Sequence, residues 1–441
     1  MKKMLSGITC VFMVLISLPS VAMDLSLNNA IDMILAESND LKKAEANVKK
    51  AQAQLDAANA NRWFTLEGTA SYMNMVNITN PSESQKINLP PAFGGLISDS
   101  LKDQSVTLTI PDNIFQAGLT LTQPIYTFGK IGNAVQSVKS AIKMSQASQE
   151  MTRRSVRYAA ADLYWTAKMT DEIVVLAEKD LKNARDAKRK LTSAGRANRS
   201  NLLKIESDIA SKEINVSDAK FNRDTAHRML KIMAGIDIEE SLFLTDNIPS
   251  KFEEMSVSKL KTTPQWDILT EQVNMYERLA RSKRAAAYPT LAATASYSYS
   301  TLSDDIGHMF DKSGSQSSYW GVALQVPIFS GGINRANATV EAMNAAAAHQ
   351  DLELAKKITT EEYDNAIKQY NHLRENLSTL KNARDLAAQT YTLSQNRFGA
   401  GQTSAVELAD VAAGLYQLDI ALLNTKYKIL MSAESVKKLG E

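Results

Sequence analysis

The chain repeats itself, and the repeat limits what it can fold into. Thr65-Leu66 and Thr69-Ala70-Ser71-Tyr72 recur as Thr290-Leu291 and Thr294-Ala295-Ser296-Tyr297, a shift of 225 residues. Pro124-Ile125-Tyr126 and Gly129 match Pro327-Ile328-Phe329 and Gly332 at a shift of 203, and Ala194-Gly195 with Leu202 match Ala400-Gly401 with Leu408 at a shift of 206. Motifs that return in one order at one long period mark two copies of a structural unit. The drop from 225 to 203 places 22 extra residues in a loop of the first half, where residues 77–114 are rich in Asn, Pro, Gly and Ser against only about 303–317 in the second.

Each half reads as helix, strand, loop, strand, very long helix, glycine turn, helix. The first repeat is expected over 23–248, with strands near 64–76 and 115–127, a long helix over 130–193 and a turn near 195. The second is expected over 249–441, with strands near 290–302 and 318–329, a long helix over 333–397 and a turn near 401. Neither long segment holds a proline, and each would span about 95 Å at 1.5 Å per residue. Ile367, Tyr370, Leu373, Leu377 and Leu380 recur in steps of three and four, the spacing of a coiled-coil-like seam. Alanine is abundant along both helices, which permits close approach of neighbouring helices.

The strand segments alternate with period two. Phe64, Leu66, Ala70 and Tyr72 oppose Thr65, Glu67, Thr69 and Ser71; residues 119–122 read Leu-Thr-Leu-Thr. Leu291, Ala293, Ala295, Tyr297 and Tyr299 oppose Thr294, Ser296, Ser298 and Ser300, while Trp320, Val322, Leu324, Val326 and Ile328 oppose Gly321, Ala323 and Gln325. Aromatic residues (Trp63, Tyr126, Phe128, Tyr288, Tyr319, Phe329) stand near the ends. That is the pattern of a transmembrane barrel strand, although a soluble antiparallel sheet with one face on a core alternates equally well. Four strands cannot close a barrel, and an open sheet in lipid leaves unpaired edges. If these strands span a membrane, several chains must share one barrel: two would supply eight strands and three would supply twelve.

The amino terminus supports export. Lys2 and Lys3 precede an apolar run from Leu5 to Leu18, followed by Pro19-Ser20-Val21-Ala22 before Met23, so residues 1–22 read as a signal peptide. The run is shorter than the roughly 20 residues a transmembrane helix needs. The single cysteine, Cys10, lies inside it, too early for a convincing lipoprotein cleavage site. The exported chain then has no disulfide and no thiolate chemistry. Of 50 basic and 48 acidic residues, removing Lys2 and Lys3 leaves 48 of each, so there is no electrostatic reason to bind nucleic acid.

With these features the sequence resembles the outer membrane efflux protein family, of TolC-like proteins, over essentially the whole exported chain. The resemblance rests on Leu25-Ser26-Leu27-Asn28-Asn29-Ala30-Ile31, on Pro289-Thr290-Leu291 and on Gln123-Pro124-Ile125-Tyr126-Thr127-Phe128-Gly129. Val326-Pro327-Ile328-Phe329 and the turns at Gly195 and Gly401 complete it. The first half departs from the pattern by opening its strand on Trp63-Phe64 without a proline. The resemblance implies a mainly α protein with β-strands: a homotrimer with a 12-stranded barrel in outer membrane lipid of a Gram-negative cell and a long α-barrel crossing the periplasm. A small mixed domain would be built from about 236–262 and the chain ends. The implied function is the exit channel of a tripartite efflux or type I secretion system, working with a periplasmic adaptor (membrane fusion protein) and an inner membrane pump.

Two sets of residues follow as site candidates. Glu407 and Asp410, three apart, share one helix face. In a trimer they would form two acidic rings at a constriction, which favour cations; a solvated outer face is the other reading. The first half has Asn201 and Lys204 there, and Phe398 and Thr403 stand where some relatives carry a tyrosine and arginine latch. The turns Ala194-Gly195-Arg196-Ala197 and Gly399-Ala400-Gly401-Gln402-Thr403 are candidates for adaptor docking at the periplasmic tip.

No cofactor, metal or catalytic residue is expected. His227, His308, His349 and His372 are scattered without paired spacing. Gly331-Gly332 precedes a helix without the lysine of a phosphate loop, and Met73-Asn74-Met75 reads as packing rather than a copper site. The competing reading of the whole chain is a periplasmic coiled-coil structural or adaptor protein that never enters the membrane.

Overall fold

The computed structural model describes residues 23–74, 113–193, 199–256, 258–303, 307 and 314–440. The expected signal peptide, most of the first inter-strand loop and the turn Ala194–Ala197 lie outside the described residues. The elements are β1 (Met23–Leu25), α1 (Leu27–Glu37), α2 (Asn39–Ala60), β2 (Thr65–Asn74), β3 (Asn113–Tyr126), α3 (Lys130–Ser193), α4 (Arg199–Ala234), β4 (Leu242–Leu244), α5 (Pro264–Ala285), β5 (Thr290–Ser303), β6 (Ser315–Gln325), α6 (Ile333–Gly399) and α7 (Ala405–Gly440). No described helix is long and apolar enough to cross a membrane. The chain divides into two compact units, one of residues 50–142 and 271–348 and the other of 1–49, 143–270 and 349–441.

The first unit carries a four-stranded antiparallel sheet in the order β2-β3-β5-β6. Its register aligns the alternating patterns of all four strands. Leu66, Leu121, Ala295 and Trp320 form one row across the sheet, and Leu291 and Ala293 pair with Leu324 and Val322 on the same face. The opposite face holds Thr65, Thr122, Thr294 and Gly321 in one row, and Glu67, Thr120, Ser296 and Tyr319 in the next. A one-residue slip would exchange these faces, so the pattern itself specifies the register. In the single chain the apolar face is bare: Trp320 is 86% exposed and Val322 63%. β2 and β6 are both edges, each with an unpaired ladder.

Prolines trim the strands. The ladder shifts between Pro124 and Tyr126, and β6 ends at Gln325, so Val326, Ile328 and Phe329 fall beyond it. Pro327 has no N–H to donate, which halts pairing at its neighbours. At the end of β3 the chain turns into α3 through Phe128 and Gly129, both at positive φ (49° and 85°). Tyr126 meets Phe128 edge-on at 4.6 Å, and Phe128 stacks on Tyr288 at 6.0 Å. Ser282 Oγ donates to the Lys130 carbonyl at 2.8 Å, tying α5 to the first turn of α3.

The second unit is helical around a small parallel pair, β1 with β4. Leu25, Ile34, Tyr164, Leu230 and Leu244 are fully buried there together with Ala160, Ala161 and Ala167. Small residues on α3 let β1, α1 and α4 approach closely. One side chain organises the polar contacts of this core: Tyr164 Oη donates to the Leu25 carbonyl (3.1 Å) or to Asp246 Oδ2 (2.9 Å) and accepts from the Asp246 N–H (3.1 Å). Asp246 Oδ2 also accepts from Leu27 N–H at 2.7 Å, at the start of α1. Further along α6, Ile367, Tyr370 and Leu377 are buried against Ile429 and Val436 of α7, with Leu373 packed beside them and Leu380 half-buried. Residues Phe252, Met255 and Leu260 cover this seam.

Tyr164→Phe removes the hydroxyl that bridges Leu25 and Asp246 and takes away the acceptor of the Asp246 N–H. It should cost about 1–3 kcal/mol, the penalty for stranding buried polar groups. A lowered thermal midpoint with unchanged far-ultraviolet dichroism would show this; an unchanged midpoint would deny the tyrosine its role. Burial pushes Tyr164 and Tyr427 up to about 12, with Asp246 and Asp162 respectively beside them. The fold therefore favours the neutral phenols. Their contribution is intact below an unfolded value of about 10 and is lost as pH rises from there toward 12. Tyrosinate absorbance should rise together with unfolding in that window.

Candidate functional site

α6 and α7 are joined by a short turn whose geometry follows from its sequence. Gly401 takes φ +79°. Its N–H donates to Phe398 O at 3.0 Å and the Gln402 N–H donates to Arg397 O at 2.8 Å, the paired bonds of a Schellman cap. A side chain at 401 would be strained in this left-handed conformation. Ala400 N–H bonds back to Asn396 O at 3.0 Å. Gly399 ends α6, and Gln402 and Thr403 bridge to Ser404. Ser404 Oγ then accepts the Glu407 N–H at 3.1 Å and starts α7.

Glu407 lies in the first turn of α7, where a carboxylate complements the helix dipole. Glu407 and Asp410 are both exposed on one face, while Ala405 and Leu408 are buried on the other. Neither carboxylate has an ion-pair partner among the described residues. The buried face joins a plug made by four helices: Ala187 and Leu191 from α3, Ile205 from α4, Phe398 from α6, and Ala405 with Leu408 from α7. The structure thus brings the Gly399–Thr403 turn, Glu407 and Asp410 together at one end of this unit. Ala194, Gly195, Arg196 and Ala197 are outside the described residues.

Behind the plug lies a charged centre that the sequence reading missed. Lys212 Nζ bonds Asp180 Oδ2 at 2.5 Å and approaches Asp208 Oδ1 at 3.7 Å, and Lys212 and Asp180 keep only 7% and 10% of their side chains exposed. Asn183, Asp208, Lys212, Tyr391 and Leu408 line a cavity of about 20 Å³ beside them, room for one water molecule. Burial raises the Asp208 carboxyl above the usual range, Asp180 adds to the rise, and Lys212 and Lys204 oppose it. Tyr391 is pushed up to about 12 by burial and by Asp180 and Asp186. Burial also raises Tyr416, again with Asp180. The available signal was Lys212 itself, the one charge in the apolar series Ile205, Lys212, Val216, Ala219.

Four more pairs link α3 to α4: His227–Asp171 at 2.9 Å, Lys220–Glu178 and Arg185–Glu213 at 2.7 Å, and Lys188–Glu206 at 2.8 Å. Their polarity reverses along the hairpin, acids on α3 at 171–180 and bases at 185–188, so only one antiparallel register satisfies them all. Exposed pairs of this kind contribute under about 1 kcal/mol each. Between α6 and α7, the pair Arg384–Asp419 at 2.6 Å holds the guanidinium proton more tightly through the hydrogen bond to Asp419.

Two very long helices, each with a shorter partner, and four strands with a bare apolar face define the protomer of an outer membrane channel. The match is explicit: the profile of the family described as outer membrane efflux protein covers residues 30–235 and 271–439, and the chain belongs to that family. Its members are outer membrane efflux channels. The chain is 21% identical over 420 residues to the cation efflux system protein CusC of Escherichia coli K12, covering 92% of this chain and 84% of CusC. Its fold matches the outer membrane protein VceC of Vibrio cholerae with a TM-score of 0.74 at 18% identity, over 94% of this chain and 96% of VceC. It also matches the outer membrane channel CmeC of Campylobacter jejuni with a TM-score of 0.72 at 19% identity, over 94% of this chain and 85% of CmeC.

Lys212→Met alone strands Asp180 and Asp208 beside each other and should destabilise by about 3–5 kcal/mol. Asp180→Leu/Lys212→Met removes both partners of the short pair and should recover most of the loss. Thermal midpoints of the two variants check this; equal losses in both would show that the pair itself, and not the stranded charge, carries the energy.

Proposed function

We propose that three copies of the chain form a closed duct through which solutes leave the periplasm for the exterior, without catalysis. The observation that carries this is the four-stranded sheet, with an apolar face on which Leu66, Trp320, Val322 and Leu324 are exposed, and two free edges. In lipid such edges must be paired, and pairing β6 of one chain with β2 of the next around a threefold axis gives twelve strands. Each structural repeat, 23–248 and 249–441, then supplies two strands and one pair of long helices. The soluble coiled-coil reading leaves a bare face of Trp320, Val322 and Leu324 without purpose.

Beside the Gly401 turn, threefold symmetry makes Glu407 and Asp410 two stacked rings of three carboxylates in the lumen. Their exposure and lack of ion pairs support this placement. Such rings attract cations, the class of solute for which the CusC system is named. The turns Ala194–Ala197 and Gly399–Thr403 form the periplasmic tip and receive an adaptor, which links the duct to an inner membrane pump. Phe398, Leu191 and Leu408 keep this end compact.

In a planar bilayer the detergent-extracted protein should give a small, cation-selective single-channel conductance. Glu407→Gln/Asp410→Asn should abolish the selectivity and leave the channel open to both signs of ion. Unchanged selectivity would put the acids on an outer face. A folded protein that never inserts would overturn the duct.

A further inference from the structure

A groove remote in sequence from the turns has the chemistry of a docking site. It encloses about 500 Å³ between residues 250–252, α6 around Arg374–Lys381 and α7 at Leu422–Lys426. Its floor is apolar: Phe252, Leu377 and Leu422 belong to one buried cluster with Ile429. Its rim is cationic. Arg374, Ser378 and Lys381 fall at i, i+4 and i+7 on α6, Lys426 follows Leu422 by one turn on α7, and Lys251 faces them from the extended segment. Glu375 is the only acid in the lining.

These cations are largely uncompensated. Lys251, Lys381 and Lys426 have no ion pair among the described residues, although Lys426 is half-buried. Arg374 Nη2 pairs with Glu254 at 3.0 Å, but its Nε is shielded from solvent and has no acceptor. A buried donor left unmade is costly and calls for an acceptor. The wall is also held in place before anything binds. Asn371 accepts from Met255 N–H at 3.1 Å and donates to Met255 O at 2.8 Å, and Tyr370 Oη donates to Glu253 O at 3.0 Å. Preorganisation of this kind lowers the entropic cost of docking.

We propose that this groove binds an acidic, amphipathic peptide segment of a partner protein, with carboxylates on the Arg374, Lys381 and Lys426 rim and apolar side chains on the Phe252–Leu377–Leu422 floor. A lone phosphate or carboxylate would satisfy Arg374 and leave the floor uncovered. A neutral apolar segment would cover the floor and leave four cations facing it. An amphipathic acidic segment matches both, which is the helix-in-groove mode with charge selection at the rim.

The test is fluorescence anisotropy of the detergent-extracted full-length protein with a labelled synthetic peptide built from Glu-Leu-Glu-Glu-Leu-Glu repeats. Binding should weaken with added salt, and Lys381→Glu/Lys426→Glu should weaken it at least tenfold. The same variant should gain affinity for a peptide with lysine in place of glutamate, a reversal that misfolding cannot produce. Size-exclusion chromatography and bilayer conductance of the variant should match the parent, which separates this outcome from failure of the duct. Binding unchanged by charge reversal, absent from the parent protein, or displaced equally by inorganic phosphate alone would overturn the assignment.

Discussion

The chain depends on a hydrogen-bonding debt that it cannot settle alone. β2 and β6 each present a ladder with no neighbour, and the face they share is apolar and open. In water such a sheet aggregates; in lipid each unpaired group costs several kcal/mol. Only a closed ring of strands removes both penalties at once. Four strands fall short of the smallest stable ring, so geometry alone requires more than one copy before any contact between copies is considered. Everything else in the sheet serves closure: alternation fixes which face meets lipid, and the prolines at 124 and 327 stop pairing where strands give way to other backbone.

The helical unit solves a different problem. Helices of more than 60 residues cannot all bury a continuous apolar core, and their surfaces here are instead alanine-rich with charges interleaved. The α3–α4 hairpin takes its register from ionic partners whose sign reverses along its length. The α6–α7 hairpin relies on an apolar seam through Ile367, Tyr370 and Leu377, with Arg384–Asp419 beyond it. Duplication therefore preserved the order of elements while the side chains that lock each copy diverged. Weak pairs suffice for register because a slip of one turn would break several of them together.

Much of this was legible in the sequence because the signals were periodic or doubled. Alternation at Leu291–Tyr299 and Trp320–Leu324 foretold the two faces of the sheet, and the three-and-four spacing after Ile367 foretold the seam. Glycine at 401 announced the turn that ends α6. What stayed hidden had no period. The Tyr164–Asp246–Leu25 network joins residues 82 and 139 positions apart, and Asp180 on α3 meets Lys212 on α4 at a separation of 32. Long-range pairing of this type depends on the register of two helices, which no local pattern of either one states. The ends of β6 were misjudged for a simpler reason: Val326 and Ile328 continue the alternation, but Pro327 removes the donor that pairing requires.

The same divergence explains why the acidic pair belongs to one half only. Where the second copy carries Glu407 and Asp410, the first carries Asn201 and Lys204. Lys204 lies one turn before Asp208, whose carboxyl burial raises, and its charge opposes that rise together with Lys212. The second copy places Arg384 and Asp419 between its own two helices at the matching depth, with the signs exchanged, and Glu407 and Asp410 stay exposed without an ion pair among the described residues. The matched positions of the repeat thus carry a lysine in one half and an acid in the other, both exposed, so the two turns differ in charge although they share their order of elements.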